Sequence, residues 1–171
     1  MNSFLKFLLV FICFGSFSCA ENGTEDHQQS TLFEAPIFHK SHETKKIDAP
    51  FSDAVQVGNL FFLSGQIGMD HSSRELVEGG IGAETRQTLE NIKAVLQQYD
   101  LQMTDVVKAM VVLDTIGDFS AFNSIYTQYF PQKPARTTFA AKALARGAKI
   151  EIEVVAVKSG TSKIIHGESH N

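Results

Sequence analysis

Apolar positions recur with two different periods along the chain, and the switches between them mark the elements. Ala54-Val55-Gln56-Val57 and Leu60-Phe61-Phe62-Leu63-Ser64-Gly65 are strand-like runs on either side of Gly58-Asn59. Two residues suited to positive φ make a tight hairpin connection there. Beyond a polar, glycine-bearing loop from Asp70 to Gly82, Leu89, Ile92, Val95, Leu96 and Tyr99 return at helical intervals. That spacing predicts an amphipathic helix from about Glu84 to Tyr99. Val106 to Leu113 is short and β-branched, which predicts a buried strand. Asp118 is placed to cap a second helix whose apolar side holds Phe119, Phe122, Ile125, Tyr126 and Tyr129, with Pro131 and Pro134 ending it. Two further strands close the pattern, Thr137 to Ala143 and Lys149 to Lys158.

The order strand, strand, helix, strand, helix, strand, strand describes an α+β fold with a single mixed sheet and two helices on one face. The other face stays uncovered. Yet Leu60 to Leu63 is apolar on both sides, with Leu60 and Phe62 on one and Phe61 and Leu63 on the other. An uncovered apolar face predicts self-association, because soluble monomers rarely expose one.

Composition changes the picture at the N-terminus. Lys6 precedes the apolar run Phe7 to Ile12, and Gly15, Ser16 and Ser18 lead to Cys19, which predicts a signal peptide over residues 1–18. The run is shorter than the roughly 20 residues that span a bilayer. Ser16-Phe17-Ser18-Cys19 resembles a bacterial lipoprotein processing box, in which Cys19 becomes the lipidated first residue. The protein is then expected to be exported, periplasmic, and held to a membrane by its lipid anchor alone. Residues 19–47 are polar without sustained periodicity and read as a tether; 159–171 read as a polar tail. The folded domain is expected at 48–158.

Charge and cysteine usage then narrow the chemistry. Both cysteines, Cys13 and Cys19, precede the domain, so a thiolate nucleophile or thiolate zinc site inside it is excluded. His39 and His42 suit one helical face, but no third ligand stands near, and no metal is expected. The formal charge of −4, or −5 once Lys6 is lost with the leader, supplies no basic footprint for a nucleic acid.

Few polar residues stand out by position. Arg136 lies in Pro134-Ala135-Arg136-Thr137-Thr138, where the prolines fix the entry to a strand. Glu151 and Glu153 project from one side of the last strand, an alternation that also suits a solvated face. Ser64-Gly65-Gln66 ends an apolar strand, either as a polar rim around a ligand or as a plain terminus.

Taken together, Pro50-Phe51-Ser52, Leu63-Ser64-Gly65-Gln66-Ile67-Gly68, Gln87 to Ile92, Asp118-Phe119 with Asn123 and Tyr126, Pro134-Ala135-Arg136-Thr137 and Ile150-Glu151-Ile152-Glu153 resemble the Rid family, formerly called YjgF. These are the reactive-intermediate enamine/imine deaminases, and the resemblance covers about Ala49 to Val157. It implies a chorismate-mutase-like α+β fold, a homotrimer, and active sites in clefts between subunits. It also implies that Arg136 binds a substrate carboxylate, that Glu151 handles water and protons, and that Ser64, Gly65 and Asn123 line the pocket, without a cofactor. Phe51 stands where the deaminases typically carry Tyr, and Thr138 where Cys is frequent, so substrate preference stays open.

The implied chemistry is sound for those residue types. A planar guanidinium holds a carboxylate through two parallel hydrogen bonds, and a nearby carboxylate orients water and moves its proton. The expected activity is hydrolysis of small 2-imino acids, such as 2-iminopropanoate and 2-iminobutanoate, to the 2-oxo acid and ammonia. The alternative is a non-catalytic, small-carboxylate-binding or holdase-like trimer in the periplasm. For the leader, Cys19→Ala is expected to move the protein from the membrane to the soluble fraction. Unchanged partition, or a mature N-terminus elsewhere, overturns the lipoprotein assignment.

Overall fold

In the computed structural model, which describes residues 35–41 and 43–159, the apolar runs assemble into one six-stranded sheet. The leader, Cys19, His42, most of the tether and the tail beyond 159 lie outside the described residues. The strands are β1 (Ile37–His39), β2 (Ala54–Val57), β3 (Leu60–Ile67), β4 (Val106–Leu113), β5 (Ala135–Ala140) and β6 (Ile150–Val157). Their spatial order is β1-β2-β3-β6-β4-β5. Helix α1 (Gly80–Gln97) connects β3 to β4, and α2 (Phe119–Tyr129) connects β4 to β5. Only the pair β4–β5 is parallel, as a helical crossover allows; the other pairs are antiparallel. The sheet is mixed, as the sequence implies.

One sheet face forms the core. Phe61 and Leu63 of β3, Ala109 and Val111 of β4, and Ile150 and Ile152 of β6 are buried with Leu89, Ile92, Val95 and Leu96 of α1 and Phe122 of α2. Each large apolar side chain so buried contributes about 1.5–3 kcal/mol. The other face carries Val55, Phe62, Val112, Phe139 and Val155, with Phe62 and Phe139 nearly half exposed. The two-sided apolar strands therefore do leave an uncovered face among the described residues.

Several boundaries differ from the sequence reading, each for a local reason. The expected tether is wrong at its C-terminal end: Ile37–His39 pair antiparallel with β2, and His39 packs its ring on Phe61 and Tyr99 and bonds Gln56. Three residues are too few for a period-2 signal. Helix α1 starts at Gly80 rather than near Glu84, because Gly79 turns the chain with φ +113. Asp118 occupies the start of α2 but makes no side-chain cap; Thr115 Oγ1 accepts the Gly117 N–H at 3.3 Å and opens a 3₁₀ turn there instead. The last strands are shifted, β5 to Ala135–Ala140 and β6 to Ile150–Val157.

Glu84 ties α1 to the sheet, since its buried carboxylate accepts the backbone N–H of Lys149 at 2.7 Å. Gly68 lies directly against it: a Cβ there would meet the Glu84 Cβ at 2.5 Å and its Cα at 2.6 Å. The backbone cannot yield as a side-chain tip can. Gly68→Ala is therefore expected to destabilise the domain by about 1–3 kcal/mol, as overpacking does. A thermal melt of the variant within a degree of the wild type would refute that.

Candidate functional site

A bulge in β3 shapes the site. Leu63 pairs with Val154 and Gln66 with Ile152, so Ser64 and Gly65 together oppose the single residue Glu153 on β6. An extra residue bends a strand and re-aims the side chains around it. Here Ser64 Oγ donates to the Ser52 carbonyl at 2.7 Å, which ties the residue after Phe51 to the bulge. Gly65 rests on Glu151, and a Cβ at that position would fall on the Glu151 carboxylate. Glycine leaves room for the carboxylate where it now lies; a larger residue would push it aside.

These residues open onto a cavity of about 370 Å³, lined by Phe51, Ser64, Gly65, Met69 and Glu151 together with Lys46, His71, Arg74 and Arg146. The loop after β3 supplies two of the basic groups. Asp70 Oδ1 accepts the N–H groups of Ser72 and Ser73 at 2.8 and 2.9 Å and the Ser72 hydroxyl at 2.6 Å. Those bonds, the Ser72 hydroxyl first, hold the Asp70 carboxyl down at about 2. The turn they fix puts His71 and Arg74 on the cavity wall. His71 Nδ1 lies 2.6 Å from Glu43 Oε1, and Lys46 Nζ lies 3.5 Å from the same oxygen. Burial, and next the Lys46 charge, push the His71 pKa below its usual value. The neutral ring then donates from Nδ1 to Glu43.

Glu151 is half-buried, and its pKa is raised first by that burial and then by the charge of Glu153. Such a carboxyl holds its proton to higher pH than a solvated one, as suits a group that takes up and returns protons.

Arg136 belongs to a different surface. It pairs with the core residue Ala109, so it points to the helix-covered face. Its Nη1 donates to Asn123 Oδ1 at 2.8 Å. The guanidinium carbon stands 4.6 Å from the ring centre of Tyr126, 5.2 Å from that of Phe122 and 5.6 Å from that of Phe119. These aromatic faces attract the cation and fix its plane. Thr138 follows on the same face, opposite Val111, with its Oγ1 buried and unpartnered among the described residues.

The family model described as Endoribonuclease L-PSP matches residues 43–158. The chain belongs to the Rid (YjgF, L-PSP) family. Human 2-iminobutanoate/2-iminopropanoate deaminase is 46% identical over 110 residues, 64% of this chain and 80% of that protein. The rat protein of the same name is 42% identical over 126 residues, covering 71% and 92% of the two chains. Among solved structures, the Rid family protein YyfA of Yersinia pestis matches with a TM-score of 0.68 at 35% identity, over 72% of this chain and 100% of that one. The Escherichia coli YjgF gene product matches at 0.66 and 29% identity, over 72% and 99%.

In this Rid chain the residues singled out by sequence divide between the two faces of the sheet. Phe51, Ser64, Gly65 and Glu151 meet at the cavity, whereas Arg136, Asn123 and Thr138 cluster beneath α2. Phe51 is 56% exposed and brings a ring but no hydroxyl to the rim. Sequence reasoning missed Lys46, His71, Arg74 and Arg146. Lys46 lay inside the expected tether, and the loop residues carry no periodicity; the one available signal was basic residues flanking the Ser64-Gly65 and Glu151 segments.

The two causes acting on Glu151 are separable. Titration of Glu151 followed by NMR is expected to give a midpoint above 4.5, the ordinary value for glutamate. Glu153→Gln is expected to move it down, because the second negative charge is gone. An unshifted midpoint in the wild type would mean that burial does not govern this carboxyl.

Proposed function

We propose that the protein hydrolyses small 2-imino acids to 2-oxo acids and ammonia. The observation that carries this reading is Glu151, a half-buried carboxyl of raised proton affinity set against Gly65 in a ligand-sized cavity. The names of the human and rat relatives support it. In the proposed reaction Glu151 accepts a proton from water as its oxygen bonds to the imine carbon. The same carboxyl then returns the proton to the nitrogen of the resulting tetrahedral adduct. As the carbon–nitrogen bond breaks, Glu151 takes the adduct's hydroxyl proton and a proton passes to the departing nitrogen, which releases ammonia and leaves the carbonyl of the 2-oxo acid. A guanidinium holding the carboxylate fixes the carbon for attack.

Arg136 is suited to that clamp, since Asn123 engages one of its N–H groups and the aromatic wall orients the rest. Within one chain, however, Arg136 and Glu151 lie on opposite faces of the sheet. We therefore take the site to be shared between copies in a homotrimer, with Arg136 and Asn123 of one chain facing the Glu151 cavity of the next. The uncovered apolar face around Phe62 and Phe139 supplies the contact. Export and anchoring through Cys19 remain part of the proposal and rest on the leader sequence.

Complementation tests the shared site directly. Arg136→Ala and Glu151→Gln are each expected to lose imine hydrolysis by about 10²–10⁴-fold for the carboxylate and about tenfold or more for the clamp. Refolding the two variants together in equal amounts should regenerate intact sites, with Glu151 from one variant and Arg136 from the other, at about one half times one half, a quarter, of wild-type activity. A mixture no more active than its components would place each site within a single chain. Full activity in Glu151→Gln alone would end the role assigned to that residue.

A further inference from the structure

We propose that the cavity beside Glu151 contains a second anion-binding position, formed by Arg74, Arg146 and Lys46, which selects 2-imino acids bearing a carboxylate on the side chain as well as at the imine carbon. This extends the deaminase reading to a substrate class and rests on it.

Arg74 carries the argument. Its Nη1 is buried without a hydrogen-bond partner among the described residues, although a guanidinium N–H removed from water needs an acceptor. Arg74 is among the residues lining a cavity that holds one carboxylate, Glu151, and neither Arg74 nor Arg146 is ion-paired among the described residues. Lys46 and His71 both engage Glu43 through Oε1, while its Oε2 is buried without a partner among the described residues and makes no bond to Arg74.

The backbone points the same way. Arg74 has φ +66 and Arg146 φ +57, the left-handed region that glycine occupies at less cost. Two of the four non-glycine residues with positive φ among the described residues are thus the two arginines of this cavity. Strained backbone of this kind collects where a side chain has a task at that place. The cavity measures about 370 Å³ within one chain, and with Arg136 of a neighbouring copy at its mouth the space beside Arg74 is what remains for a longer, charged side chain. With Arg136 of a neighbouring copy on the first carboxylate, Arg74 supplies a planar fork for the second.

Product analogues test this without requiring turnover. Calorimetric titration of the full chain with 2-oxoglutarate and with 2-oxobutanoate is expected to show the dicarboxylate binding about tenfold tighter or more. Imines made in situ from glutamate and 2-aminobutyrate by amino-acid oxidases should follow the same order in kcat/KM. Arg74→Gly, which suits φ +66 better than arginine, is expected to reduce that preference by about tenfold, and Arg74→Gln should do the same with the backbone kept as it is. Equal affinities in the wild type, or a preference unchanged in both variants, overturns the second position. Preferential binding of 2-oxoglutarate with neither imine hydrolysed supports the position and overturns the deaminase reading. Hydrolysis of both imines without preference does the reverse.

Discussion

The cavity depends on one close approach, that of the Gly65 backbone to the Glu151 carboxylate. An unbulged β3 would keep a single alternation along its length, and the segment that now crosses Glu151 would lie one residue out of place. The bulge spends two residues of β3 on one of β6 and so turns Gln66 inward while Gly65 lies over the carboxylate. Burial is the larger cause of the raised proton affinity of Glu151, and the Gly65 backbone is one of the groups packed against its carboxylate. Shape and acidity meet at this position, since a side chain at residue 65 would displace the Glu151 carboxylate from the place it now occupies.

The same logic explains what was legible in the sequence. Elements with a long, consistent period were visible: α1, α2, β4 and the β2–β3 hairpin all lie where the apolar positions put them. Strand β1 was not, because three exposed or half-exposed residues leave no pattern to read. The site was legible only in pieces. Glu151 and Arg136 sit in distinctive segments, but the sheet register that sends one to each face depends on pairings between strands distant in sequence. Lys46, Arg74 and Arg146 were silent because loop residues reach a cavity through local turns. The Asp70 turn that brings Arg74 there involves only serine and aspartate side chains with backbone N–H groups, and such turns are common on surfaces of any function.

Electrostatics distinguish the two clusters. Around the cavity, carboxylates and cations are interleaved: Glu43 holds Lys46 and a neutral His71, while Glu151 faces Arg74 and Arg146 across open volume. Beneath α2 no carboxylate among the described residues bonds Arg136, and its positive charge meets π faces and one amide oxygen instead. An aromatic wall stabilises a guanidinium without neutralising it, whereas an Asp or Glu partner would compete with any incoming carboxylate. The Asn123 bond fixes orientation at small electrostatic cost. Such a cation is prepared for a carboxylate brought to it, which is the arrangement a clamp requires.

Placing clamp and proton carrier on opposite faces of one sheet has a consequence for the proposed activity. A strand is only one backbone thick, yet no ligand passes through it, so the two groups meet around one substrate only across a junction between copies. In the proposed assembly the exposed apolar face would serve catalysis as well as stability: burying Phe62 and Phe139 would contribute roughly 25 cal/mol per Å² of apolar area, and the same contact would set the distance from guanidinium to carboxylate. A substitution on that face acts on turnover through geometry even where it touches no substrate, because an error of about 1 Å in placement is enough to cost a large factor in rate. In a shared site of this kind the interface residues belong to the catalytic design as firmly as the groups that move protons.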